Sequence, residues 1–460
     1  MPLLIKNATI VNASGLLAAD VLCLDETISE IGTNLRAPAG TEVIDGSGQY
    51  LFPGFIDPHV HIHLPFMGTS AKDDWTSASR AALIGGTTTL IEMICPARGD
   101  ELRAAYEVWL SHAAGKSACD YTFHMGVPRF DAQTAAVLRQ IVKEGIASFK
   151  VFLAYAGAFA IEDDELFAVL QLAKQLGVIV TAHCENATLV AAMQQQLLSE
   201  GKTGPEWHEP SRPTSVEALG VQHLTTFAEL TGAHVYIVHT SCAAALNEAI
   251  AARQRGVNVT VEALIQHLLL DKSYAERGDF EGAKFVMSPP LRAAENQDAL
   301  WEGLATGQIS TVATDHAPFD FVGQKDLGRD DFTKIPNGIP SLQDRINLLY
   351  TYGVQQKRIT LPQMVDMAST QAAQLFGLFP RKGVIAVGSD ADLVVFDPQY
   401  RGVIAAATHA MQVDYNAFEG TATGGRPSLV TVRGQIQVHD GKFVGTIGRG
   451  QLLRRQPGHF

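Results

Sequence analysis

The chain has 460 residues, 46% of them hydrophobic and 18% charged, with a formal net charge of -13. This composition supplies a large apolar core and excludes a disordered or low-complexity protein. The acidic balance repels phosphate backbones and argues against a nucleic-acid partner, although a bound metal can still draw in a small anion. No run approaches eighteen uncharged apolar residues, and the opening MPLLIKNATI carries no secretory pattern, so neither a membrane span nor export is expected. Cys23, Cys95, Cys119, Cys184 and Cys242 show no C-x-x-C spacing. They read as reduced, mostly buried thiols of a cytoplasmic protein.

The first fifty residues alternate apolar and polar side chains between turn signals, as in LLIKNATIVN, ADVLCLD and EVIDGSGQYLFPG. The same texture returns in DADLVVFDP and PSLVTVRGQIQVHDGKFV. The two ends are therefore expected to build one small β-sandwich domain from residues 1–50 and 385–445. A C-terminal tail, 446–460, would follow it. Between them, eight apolar, β-branched runs alternate with helical stretches. The runs are FPGFIDPHVH (52–61), TTTLIEM (87–93), DYTFHMGV (120–127), SFKVFLAY (148–155), VIVTAHCE (178–185), HVYIVHTS (234–241), NVTVEAL (258–264) and STVATDHAP (310–318). Helical stretches such as DELFAVLQLAKQLG and AALNEAIAARQRG end at glycine. Eight β-then-α units imply an α/β fold, a (β/α)8 TIM barrel over residues 51–384. An open doubly wound sheet is the rival, weakened because no G-x-G-x-x-G follows an early strand.

Polar residues close several of these runs. His59 and His61 end the first, Lys150 lies in the fourth, His183 in the fifth, His239 in the sixth and Asp315 in the eighth. In a barrel these strand ends meet at one mouth, and the two-residue spacing puts His59 and His61 on the same face. A lone buried histidine is more often a hydrogen-bonded core residue than a ligand. Lys150 could pair with a carboxylate, and Asp315 could cap a helix. Four histidines buried together are costly to satisfy by hydrogen bonds alone, which favours metal. Six candidates exceed the needs of one catalytic ion, so two divalent ions are expected. An ammonium is a poor ligand, but a lysine carbamate could bridge both. Zinc suits the donor set, and manganese, cobalt and iron fit it too.

At these residues the chain resembles the cyclic amidohydrolases of the amidohydrolase superfamily, closest to the hydantoinase/dihydropyrimidinase branch. The matching pieces are PGFIDPHVH, LPFMGTSAKDDWTSASRAALIGGTTT, SFKVFLAY, TAHCEN, VHTS, MSPPLR, ATDHAPF, NGIPSLQDR and VDYNAFEG. The resemblance implies hydrolytic opening of a five- or six-membered cyclic amide or imide to an N-carbamoyl amino acid. It implies that His59, His61 and Asp315 hold one ion and that His183 and His239 hold the other. Lys150, as N6-carboxylysine, would bridge them. It further implies Asp315 as general base and then acid, Tyr155 as oxyanion donor, and Ser288 and Asn337 as partners of the imide edge. A homotetramer is also implied, with the arginine-bearing tail (Arg449, Arg454, Arg455) and VDYNAFEG suited to contact a neighbouring subunit.

The sequence departs from that pattern in two places. His63 stands where many relatives carry Asp, and is read as lining the pocket. His267 stands at a usual Tyr position. Leu64, Phe66, Phe152 and Phe159 are expected to line the wall that meets a ring substituent. Allantoinase and dihydroorotase chemistry use similar sites and remain as alternatives, but the arginine usual after H-x-H in dihydroorotases is absent. A non-catalytic scaffold related to dihydropyrimidinases is disfavoured because all six ligand candidates are present. A mononuclear deaminase would not carry the lysine of the fourth strand.

Overall fold

The computed structural model describes residues 2–458. Eight parallel strands form the barrel, in chain order Phe55–Val60, Thr87–Ile94, Asp120–Gly126, Ser148–Phe152, Ile179–His183, Val235–Ile237, Val259–Leu264 and Thr311–Ala313. Each pairs with its sequence neighbour. Val60 and His316 bridge in parallel and close the ring. The closure is backed by hydrogen bonds from the Asp315 N–H to His59 O and from the His61 N–H to His316 O, each 2.9 Å. All eight expected strands are present. Nearly every strand residue is buried, because barrel strands meet core on one face and helices on the other.

Helices follow the strands and lie outside them. Asp74, Asp131 and Asn186 cap three of them by accepting N–H bonds from Ser77, Thr134 and Leu189. Helix Asp163–Leu176 stops at Gly177, whose φ of 65° is left-handed, as the glycine signal indicated.

Several strands are shorter than their apolar runs. The sixth stops at Ile237 and the eighth at Ala313. Beyond them His239 and Asp315 take φ of 41° and 50°, and Tyr155, past the fourth strand, takes 68°. Non-glycine residues avoid this region unless their surroundings impose it, and such positions gather at active sites. Past each of these three strands the backbone turns instead of continuing straight.

A second sheet of nine strands draws on both ends of the chain. Tyr50–Pro53 pairs antiparallel with Leu393–Phe396 at the join. Bulges at Ile5/Ala8 and Val395/Phe396 bend its long strands. Its own core includes Leu3, Ile5, Val21, Leu393, Val395 and Leu429. Buried Lys382 ties the sheet to the barrel, reaching Asp120 at 2.7 Å and Asp392 at 2.6 Å. Arg433 also bonds Asp120. These two cations neutralise the acidic trio Asp120, Asp390 and Asp392, so the trio reads as a structural ion-pair network.

The tail and VDYNAFEG, expected to contact a neighbour, are engaged on their own chain. Tyr415 Oη donates to Lys284 O at 2.9 Å, and Asn416 Nδ2 to Asp344 Oδ2 at 2.9 Å. Leu452 bridges to Tyr121 at the start of the third barrel strand. Arg455 is buried, donating to Thr122 Oγ1 at 3.1 Å, Ser148 Oγ at 2.8 Å and Phe123 O. Burial lowers its guanidinium to about 9. It thus plugs the end of the barrel opposite the catalytic mouth. Arg455→Met is expected to lower stability by about 1–3 kcal/mol, because four acceptors, Phe376 O among them, lose their donor. Urea unfolding with an unchanged midpoint would contradict this.

Candidate active site and metal centre

The barrel mouth gathers His59, His61, Lys150, His183, His239 and Asp315 around one cavity. Asp315 Oδ1 lies 3.1 Å from Nε2 of both His59 and His61. Closure of the first strand on the eighth produces this meeting. The His183 and His239 rings are 4.6 Å apart, and His239 is 5.5 Å from His59.

Three carboxylates outside this set fix its geometry. Glu262, on the seventh strand, accepts from His59 Nδ1 at 2.8 Å, the His239 N–H at 2.9 Å and Tyr236 Oη at 2.8 Å. Glu185 accepts from His183 Nε2 and Arg212 Nη1, both at 2.8 Å, so Nδ1 is the His183 nitrogen left for an ion. Glu92 takes the Ile62 N–H on both oxygens at 2.9 Å. A second hydrogen bond of this kind sets the tautomer and orientation of a ligating imidazole.

Lys150 is wholly buried and its Nζ has no hydrogen-bond partner. Burial lowers its amine. His239 is held well below the usual range, first by burial and then by His183, so its imidazole stays neutral. Burial also opposes charge on His59, but Asp315 and Glu262 outweigh it and raise the ring to about 9. Burial opposes ionisation of Asp315 as well, yet His59 and His61 keep it well below the usual carboxylate range. The pocket therefore holds the Asp315 carboxylate, the neutral imidazole of His239 and a proton on His59 that a bound cation would displace, around an amine without a hydrogen-bond partner. That donor set fits two divalent ions, and the residues offer a ligand group at His59, His61 and Asp315.

The same cavity is lined by Leu64, Phe66, Phe152, Tyr155, Phe159, Ser288 and Asn337. Phe66, Tyr155 and Phe159 pack as an aromatic cluster, with centroids 5.4 Å (Phe66–Tyr155), 6.0 Å (Phe66–Phe159) and 6.2 Å (Tyr155–Phe159) apart. Burial raises the Tyr155 hydroxyl, which remains a neutral donor. Asn337 Nδ2 donates to Ser288 Oγ at 3.0 Å. Gly338 lets this loop pack closely on Ala317, since a Cβ there would meet Ala317 O at 2.4 Å.

His63 departs from expectation. Its φ of 59° turns it from the mouth, and its ring lies 4.7 Å from that of His112 on the outer helix Leu102–Ala113. It does not line the cavity. His267 is buried and its Nε2 donates to Pro289 O at 3.2 Å, supporting the Ser288 loop from behind. Cys95, by sequence a buried thiol, lines the cavity with Sγ 3.8 Å from His61 Nδ1. Glu92, Glu185 and Glu262 are further site residues that the strand-end pattern does not single out. Their signal was present: a carboxylate inside or beside an apolar run, as in VEAL, needs a buried partner.

The amidohydrolase family profile matches residues 50–437. A D-hydantoinase of Geobacillus stearothermophilus is 47% identical over 99% of this chain and 97% of its own. The solved D-hydantoinase (dihydropyrimidinase) of Thermus sp. is 60% identical, covers both chains completely and superposes with a TM-score of 0.98. The L-hydantoinase of Arthrobacter aurescens superposes at 0.89 with 28% identity over 98% of this chain and 99% of its own. A barrel closed at paired histidines and an aspartate, with full-length likeness of this degree, makes the chain a member of the amidohydrolase family, in its hydantoinase/dihydropyrimidinase branch.

Proposed function

We propose that this enzyme opens 5-substituted hydantoins and dihydropyrimidines by hydrolysis, giving N-carbamoyl amino acids. The observation that carries the reading is the gathering of six ligand side chains, one a buried amine without a hydrogen-bond partner, in the cavity that also holds Tyr155, Ser288 and Asn337. In this reading His59, His61 and Asp315 would hold one ion, His183 and His239 the other, and Lys150, once carboxylated, would contribute to both. Two such ions, zinc or else manganese, cobalt or iron, would supply hydroxide at neutral pH and positive charge near the substrate carbonyl.

The chain's own groups do the rest. Asp315 accepts a proton as the nucleophile adds and returns one to the leaving ring nitrogen. The Tyr155 hydroxyl donates to the developing oxyanion. Ser288 and Asn337 bond the –CO–NH–CO– edge and set the ring's orientation. Leu64, Phe66, Phe152 and Phe159 pack against the 5-substituent and keep water from it. The reading extends to the D enantiomer, because the relatives named D-hydantoinase share 47% and 60% of residues against 28% for the L-hydantoinase. Five free, buried cysteines suit a reducing compartment, and the reading places the enzyme in the cytoplasm as a homotetramer. No described helix is long and apolar enough to cross a membrane.

A panel of dihydrouracil, hydantoin, 5-phenylhydantoin, allantoin and dihydroorotate, each given to metal-loaded enzyme, tests the substrate class. Turnover of the first three is expected to dominate; dominance of allantoin or dihydroorotate would sink the reading. Trimming Phe66 or Phe159 to Ala should shift the kcat/KM ratio between 5-phenylhydantoin and dihydrouracil by about tenfold, the size of a lost apolar contact. A parallel fall on both substrates would mean that these rings hold the site together without selecting the substituent.

A further inference from the structure

We propose that Lys325 is a positioning residue, fastening together the two loops that carry Ser288 and Asn337. The inference rests on the substrate-binding role given to those residues above. Lys325 is fully buried. Its Nζ donates to Val286 O and to Pro336 O, both at 2.7 Å. Val286 lies two residues before Ser288, and Pro336 directly precedes Asn337. The Val286 carbonyl also accepts the Gly338 N–H at 3.0 Å, so both of its lone pairs join one loop to the other. The Ser288–Asn337 side-chain bond then sits just above this clamp.

The surroundings make an amine here expensive. Val286, Phe332 and Ile335 belong to a small apolar cluster beside it. Among the described residues Lys325 forms no ion pair. Burial alone holds its amine well below the usual lysine range. A neutral amine has two N–H groups, one for each carbonyl. A well-packed apolar side chain commonly stabilises as much as a buried polar group or more, so stability alone does not account for an amine here. Lysine is also long enough to reach both loops from the Lys325–Gly328 turn, whose own N–H is anchored on Asp320 O at 2.9 Å. Losing the clamp would let the imide partners drift apart while the metal ligands, on other strand ends, stay in place.

Lys325→Met keeps the stem and removes both donors. Its KM for 5-phenylhydantoin should rise about tenfold with kcat within about threefold of wild type, the pattern of lost ground-state binding. Metal content per chain should not change. Combined with Ser288→Ala, the substitution should add less than its effect alone, because the group it positions is already gone. Ile335→Val loosens the same cluster but keeps the donors, and should leave KM unchanged. If Lys325→Met does not fold, Lys325→Gln, which keeps an NH2 donor, replaces it and should give a smaller rise. An unchanged KM, an additive double mutant, or an equal rise in Ile335→Val overturns the inference. Wild-type ring opening is measured alongside. Its absence would overturn the substrate reading and this inference together, whereas an active wild type with an unaffected Lys325 variant overturns the inference alone.

Discussion

Lys150→Ala is expected to lose both ions and essentially all ring opening while still folding. The wild-type amine is buried, without a hydrogen-bond partner, and lowered by its burial. Such an amine contributes little to stability, so its removal costs mainly the cavity left behind. As a neutral amine it can add to carbon dioxide, forming a C–N bond and releasing one proton. The product is an anion with two oxygens amid His59, His61, His183, His239 and Asp315. Alanine provides neither oxygen, and four imidazoles with a single carboxylate would hold two dications poorly. Bicarbonate with a short carboxylic acid should partly restore turnover in the alanine variant, by placing a free carboxylate in the gap. Metal analysis and hydantoin turnover check this. Two ions and full activity without additive would remove the carbamate from the account.

Asp315→Asn is expected to cut turnover on the order of a hundredfold or more, the contribution of a general base. The carboxylate lies 3.1 Å from the nearest ring nitrogens of His59 and His61, and these hold it ionised despite burial. An amide of the same size fills the space but cannot take the proton. Its φ of 50° is a conformation that asparagine tolerates better than most residues, so the turn should survive. Near-native kcat, with metal content and circular dichroism unchanged, would assign the proton transfer to another group.

The barrel was legible because its strands are buried on both faces and so read as short apolar runs between glycine-ended helices. The ligands were legible because histidine, lysine and aspartate are conspicuous at the ends of such runs. The exact strand ends were not. His239 and Asp315 depend on left-handed turns imposed by tertiary contacts, which alternation cannot reveal. His63 illustrates the same limit: two residues past His61, strand periodicity would keep it on the same face, but the backbone has already turned. Glu185 and Glu262 could have been singled out as buried carboxylates, yet their partners lie on other elements. Arg455 was equally hidden. Charge on an acidic chain suggested a neighbouring subunit, whereas a ring of oxygens at the base of its own barrel takes it up.

Metal titration of chelator-stripped enzyme, with bicarbonate present and N-carbamoyl product measured at each step, tests the central claim most directly. The account requires negligible ring opening of 5-phenylhydantoin without metal and a rise that levels off at two ions per chain. Full activity in the stripped protein, or no ring opening once two ions are bound, would contradict it.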